Sequence, residues 1–149
     1  VNASEYLAKF HNIKETPAPI FDLDEEFELH QTIKNLIASG VLQSCKSVAE
    51  GGLFSALFNK CLHEDLGFDI TLPIEFRRDA FLFGEAQSRA VVSVTEDELD
   101  LFLQLMSTTN SKALMLGHVT KSELRIDHES YGFASELKAK FNSALDDFL

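Results

Sequence analysis

The chain has 149 residues, 45% of them apolar and 25% charged, with 13 Phe, no Trp and a formal net charge of −11. That is enough length and apolar content for one domain with an ordinary core. The acidic balance argues against a binder of nucleic-acid backbones, because no basic stripe exists to displace counterions. Two cysteines, Cys45 and Cys61, sit in apolar patterns and read as reduced core thiols of a cytoplasmic protein, neither a disulfide framework nor a metal knuckle. No apolar run approaches the roughly 18 residues of a membrane span. No secretory h-region is visible, and Val1 in place of an initiator Met leads us to expect a piece of a longer polypeptide.

In chain order, Val1 to His11 forms a short helix with Ser4 as its cap and Leu7 and Phe10 on one side, broken by Thr16-Pro17-Ala18-Pro19. Residues 1–20 are expected to be a connector and residues 21–149 one domain. A helix follows from about Glu25 to Ser39, with Leu29, Ile33, Leu36 and Ile37 as its buried stripe and Gly40 as a left-handed C-cap. Val41 to Val48 reads as a strand leading into Glu50-Gly51-Gly52. The next helix, Gly52 to about Glu64, carries Phe54, Leu57, Phe58, Cys61 and Leu62 at helical spacing.

Gly67 ends that unit, and Phe68, Ile70 and Leu72 alternate with Asp69 and Thr71 as a half-buried strand stopped at Pro73. Ile74 to Ala80 reads either as a loop or as a helical turn. Ala90 to Val94 is a Val-rich strand. Thr95-Glu96-Asp97-Glu98 fits a capping box before a helix with Leu99, Phe102, Leu103 and Met106 on one stripe. Ala113–Val119 and Glu123–Ile126 are short strands, and a last helix carries Leu137, Phe141, Leu145 and Phe148. Interspersed strands and helices place the chain in the α/β (α+β) class, a layered sheet flanked by helices.

The five histidines lie far apart and give no metal-ligand spacing, and neither cysteine has a neighbouring base, so no catalytic residue and no metal site are expected. Two stretches remain. A strand that stops at Gly51-Gly52 and restarts as a helix presents backbone N–H donors at the positive end of a helix dipole, an anion-binding corner. The same glycines are equally what a tight strand-to-helix turn needs. In Gly84-Glu85-Ala86-Gln87-Ser88-Arg89, an extended backbone would set Glu85, Gln87 and Arg89 on one face. Arg89 there could meet a phosphate bidentately, and Glu85 could hold a hydroxyl or order the glycine turn. An Arg–Glu pair on a sheet surface accounts for the same pattern. Glu50, Gly51, Gly52, Glu85, Gln87 and Arg89 are therefore the candidate phosphate- or nucleotide-binding residues.

Glu50-Gly51-Gly52-Leu53, followed some thirty residues later by Leu82-Phe83-Gly84-Glu85-Ala86-Gln87-Ser88-Arg89 and a Val-rich strand, resembles the large subunit of phosphoribosylformylglycinamidine synthase in its short, bacterial-type form. Within it, the chain is similar to a C-terminal domain of the aminoimidazole ribonucleotide synthetase superfamily. Ser4-Glu5-Tyr6-Leu7, Gly67-Phe68-Asp69-Ile70 and Lys140-Phe141-Asn142-Ser143-Ala144-Leu145 extend the similarity over nearly the whole chain. The resemblance implies an ATP-dependent ligase of purine synthesis that activates the formamide oxygen of formylglycinamide ribonucleotide, so that glutamine-derived ammonia displaces phosphate. It implies ATP and Mg²⁺ held mainly by N-terminal nucleotide-binding domains of the same chain, with a glutaminase subunit and a small accessory subunit as partners.

The family's usual His, Asp and Ser before Glu-Gly-Gly are replaced here by Lys46, Ser47 and Ala49, and the Ser of the second motif by Ala86. The backbone features stay while hydroxyls and charges go. That pattern suits a fragment without turnover, and also a non-catalytic structural or phosphate-binding half-domain. Another superfamily member, of the hydrogenase-maturation, selenophosphate-forming or thiamine-phosphate kinase kind, fits the Gly84–Arg89 stretch less well.

Overall fold

A computed structural model describes residues 1–144, save the side chain of His63. After a π-helical turn at Tyr6–Phe10 come α1 (Leu23–Ser39), β1 (Ser44–Ser47), α2 (Gly52–Glu64), β2 (Gly67–Ile70), α3 (Arg78–Phe83), β3 (Ala90–Ser93), α4 (Leu99–Met106), β4 (Gly117–Thr120), β5 (Glu123–Ile126), β6 (Glu129–Phe133) and α5 (Ala134–Ser143). The class is α/β (α+β), sheets flanked by helices, as expected. No described helix is long and apolar enough to cross a membrane. The chain divides into two compact units, Val1–Ala56 with Leu82–Leu114, and Leu57–Phe81 with Met115–Leu149.

In the first unit Asp22 caps α1, its side chain accepting from the amides of Asp24 and Glu25 at 2.9 and 3.1 Å. Three acidic residues in the first turn suit the helix dipole, and Gly40 (φ 76°) ends the helix as the sequence requires. Leu36 and Val41 are buried with Phe102 of α4, and Ile33, Leu42, Val92, Val94, Leu105 and Met106 pack around them. Ile37, placed in the buried stripe by spacing, is instead 58% exposed. The inward position one turn before Leu36 belongs to Thr32, which is buried with its hydroxyl 2.9 Å from that of Ser111.

β1 pairs antiparallel with β3, Cys45 opposite Val92 and Lys46 opposite Val91. This ribbon covers only half of the expected strand, and Cys45 is exposed, not a core thiol. Successive side chains of a strand alternate faces, and Cys45, Lys46 and Ser47 are all exposed, so neither face of β1 is covered along these residues. The capping box before α4 is also corrected. Thr95–Glu98 forms a turn, with the amides of Glu98 and Leu99 bonded to the carbonyls of Thr95 and Glu96, and no side chain caps the helix. Leu103 of the expected stripe is 53% exposed.

The second unit is built on a four-stranded sheet in the order β4-β2-β5-β6. β2 runs antiparallel to β4 and parallel to β5, with Phe68 beside Leu124 and Ile70 beside Ile126. These four side chains are buried to 4% exposure or less and form the centre of the unit. The alternation read in Phe68-Asp69-Ile70 is the real register. Gly67 opens β2 instead of closing the preceding helix. β4 begins only at Gly117, and β6, which the sequence reading lacks, follows β5 after a turn. Burial pushes the Cys61 thiol of α2 up to about 11, and its Sγ reaches the Leu57 carbonyl at 3.3 Å. On α5, Phe141 meets the Phe58 ring edge-on, with centroids 6.2 Å apart. Leu145 and Phe148 lie outside the described residues.

Candidate functional site

The glycine corner belongs to the first unit, and its shape follows from two consecutive left-handed residues, Gly51 (φ 78°) and Gly52 (φ 71°). Any L side chain is strained there. A Cβ on Gly52 would also lie 2.6 Å from the Leu82 carbonyl oxygen and 2.8 Å from the Phe83 Cα. The Gly-Gly pair thus lets the start of α2 pass directly against the backbone at the end of α3.

The donors of this corner are engaged from within the chain. Gly52 N–H closes a turn onto the Ala49 carbonyl at 2.9 Å. Gly51 N–H donates to Glu85 Oε1 at 3.0 Å. The same carboxylate oxygen accepts from the amide of Glu5 at 2.8 Å, eighty residues away. Of the two roles left open for Glu85, ordering the glycine turn is the one its geometry performs. A carboxylate is well matched to backbone N–H groups at helix starts, where charge assistance strengthens each bond.

The Gly84–Arg89 stretch is a loop and not a strand, so the expected single face of Glu85, Gln87 and Arg89 is corrected. Ser88 has φ 61°, a left-handed turn, and its hydroxyl donates to Glu26 Oε2 of α1 at 2.6 Å. Arg89 bends back on its own loop, donating to the carbonyls of Gly84 and Ala86. Burial lowers its guanidinium pKa from the ordinary value. Its backbone carbonyl accepts from Val48 N–H at 3.0 Å, extending the β1–β3 ribbon to the edge of the glycine turn. Glu50 and Gln87 are exposed. Of the six candidate residues, the structure joins Gly51 and Glu85 directly, seats Gly52 on the α3 backbone and ties Arg89 into the same loop.

The sequence reading missed the N-terminal segment as a participant. Ser4, the expected cap, is buried and its Oγ receives the Leu7 amide at 3.4 Å. Tyr6 stacks on Phe83 with centroids 5.0 Å apart and planes inclined by 12°. Phe83 in turn meets Phe54 of α2 at 5.9 Å. A signal existed in Tyr6, one of only two tyrosines, on a short apolar segment ahead of a proline break. No group of three or more His, Cys, Asp or Glu side chains among the described residues is arranged to hold a metal ion.

These features meet known proteins at several points. The family described as AIR synthase related protein, C-terminal domain, matches residues 1–129. The PurL subunit of phosphoribosylformylglycinamidine synthase from Salinibacter ruber is 42% identical over 127 residues, covering 84% of this chain and 17% of the relative. Among solved structures, Thermotoga maritima PurL complexed with FGAR has a TM-score of 0.71 at 16% identity, over 87% of this chain and 23% of that one. The PurLQS structure from Thermotoga maritima has a TM-score of 0.71 at 13% identity, over 92% and 24%, and a PurL structure complexed with ATP has 0.61 at 15% identity, over 74% and 21%. The chain thus spans about a sixth of the length of the curated relatives it matches. A family match over most of the chain, with the glycine corner and the Glu85 loop inside the matched residues, makes this chain a member of the AIR synthase related family, C-terminal domain.

Proposed function

We propose that this chain serves as a C-terminal domain of an ATP-dependent ligase that converts formylglycinamide ribonucleotide and glutamine-derived ammonia to formylglycinamidine ribonucleotide, and that it shapes the enzyme without itself turning over. The observation that carries the reading is the 42% identity to the Salinibacter ruber subunit across 84% of the chain. The likeness in fold to Thermotoga maritima PurL complexed with FGAR and with ATP supports it. On this reading residues 1–20 lead in from an N-terminal nucleotide-binding domain and residues 21–149 form the C-terminal domain. ATP and Mg²⁺ act on the other domains. The glutaminase and small accessory subunits dock on the assembled enzyme, in keeping with the PurLQS likeness.

Within the domain, Glu50, Gly51, Gly52, Glu85, Gln87 and Arg89 are assigned a framing role. What supports framing over phosphate binding is that the Gly51 amide bonds Glu85 and the Gly52 amide bonds Ala49. The side chains usual for the family are replaced at Lys46, Ser47, Ala49 and Ala86. No step of the reaction is therefore assigned to these residues.

The test is a chimera in which this chain replaces the matching segment of the Salinibacter ruber subunit. We expect it to form formylglycinamidine ribonucleotide from substrate, ATP and ammonia, and a folded chimera without activity overturns the reading. Turnover by the 149-residue chain alone overturns the framing role. A sulfate-dependent rise in melting temperature that disappears in Arg89→Ala would favour phosphate binding at the corner instead.

A further inference from the structure

We infer that Glu85 is the pin of a clasp that makes the N-terminal segment and the start of α2 order and open as one element. One oxygen, Oε1, receives both the Glu5 amide at 2.8 Å and the Gly51 amide at 3.0 Å. The first donor stands at the entry to the π-helical turn and the second immediately before α2. Aromatic contacts run in parallel with the pin. Tyr6 lies flat on Phe83, which meets Phe54 of α2, while Tyr6 also meets Phe10 at 5.8 Å and His11 edge-on at 4.9 Å.

Beyond the clasp the segment has little to hold it. Phe10 and Ile13 are 82% and 46% exposed, and Ile20 is 96% exposed. Ala3 N–H bonds the Thr16 hydroxyl and Ile13 N–H the Leu7 carbonyl, both within the segment itself. When the Glu85 side chain swings away, both amides lose their acceptor together. Residues 3–13 then keep the ring stack and the buried Ser4 as their hold, and Gly51, already in left-handed backbone, loses its acceptor while the Gly52–Ala49 bond alone closes the turn. Glu85 is thus a positioning residue that couples the path of the incoming chain to the geometry of the glycine corner. The inference holds whether or not the chain belongs to a ligase.

Amide hydrogen exchange on the 149-residue chain tests it. In the unaltered chain the Glu5 and Gly51 amides should share one opening event, with protection factors within about threefold of each other. Glu85→Ala should speed exchange at both by about tenfold or more, the scale of a lost charge-assisted hydrogen bond. It should also open the Glu5–Ala8 stretch, which is half-buried in the intact chain, to limited proteolysis. Glu85→Gln keeps an oxygen at the same place and should restore most of the protection at both sites. Tyr6→Ala leaves the carboxylate intact, yet on a coupled clasp it should raise exchange at Gly51 as well as at Glu5. If Glu85→Ala does not fold, the unaltered chain and Tyr6→Ala decide. Protection at Gly51 more than tenfold that at Glu5, or Tyr6→Ala acting at Glu5 alone, overturns the coupling. So does a Glu85→Ala effect confined to one of the two amides.

Discussion

The two units reach order by different means. The second is held by side chains that meet across a sheet, with Phe68, Ile70, Leu124 and Ile126 in neighbouring strands and nearly free of solvent. The first has its apolar centre around Leu36, Val41 and Phe102, and its loops are tied in addition by polar bonds between residues distant in sequence. Glu85 to Glu5 and Gly51, Ser88 to Glu26 and Thr32 to Ser111 are the main examples. A packed core feels each lost methylene, whereas a hydrogen-bonded frame gives way one bond at a time. The second unit thus has its apolar centre on a sheet, whereas the glycine corner of the first is set by single hydrogen bonds to one carboxylate.

Leu124→Ala, at a site fully withdrawn from solvent, should cost about 2–5 kcal/mol in chemical denaturation and unfold the second unit. A loss under about 1 kcal/mol would refute the division. Gly52→Ala should come next, at about 2–3 kcal/mol, combining left-handed strain with a clash against the α3 backbone. Gly40→Ala, in open space with the same sign of φ, isolates the strain alone and should cost less.

Cys61 provides a pH-dependent contrast. Its thiol is raised from 9.0 to about 11 by burial, so the folded chain holds this proton more tightly than the unfolded one. Its share of stability is complete below about 9, the unfolded value, and is lost as pH climbs through about 11. Cys61→Ala should flatten that part of the stability–pH curve. Exposed Cys45 should react with a thiol reagent at once in native buffer, while Cys61 should wait for unfolding.

The smallest effect is expected at Arg78. It donates to Glu129 and the Tyr131 hydroxyl and lies 5.8 Å from the centre of the Tyr131 ring, but on an exposed surface. Arg78→Ala should therefore cost below about 1 kcal/mol, less still at high salt.

Much of this was legible in the sequence where one period or one punctuating residue governs the outcome. The Leu36 turn and Gly40 place α1 and its end, while its start at Leu23 comes two residues before the expected Glu25, and Gly51-Gly52 fix the start of α2. The alternation in Phe68-Asp69-Ile70 gave both the strand and its buried face. β6 was illegible because Glu129-Ser-Tyr-Gly-Phe is a largely exposed outer strand, which has no need of apolar alternation. The outward turn of Cys45 depends on how few strands flank β1, a tertiary fact. At the corner, sequence singled out the glycines and Glu85, and left open whether that carboxylate orders the turn. It did not identify Glu5 and Tyr6, because a contact spanning eighty residues leaves no periodic trace.

The rim of the larger sheet has a practical consequence. Among the described residues β4 pairs only with β2, so one side of its main chain lacks a neighbouring strand, and its Val119 is 57% exposed. Short length and the polar His118 blunt that rim but do not seal it. In concentrated solution, strand-to-strand docking of molecules at β4 is the expected route to clumping, and a lysine in place of Val119 is the change that should keep preparations clear.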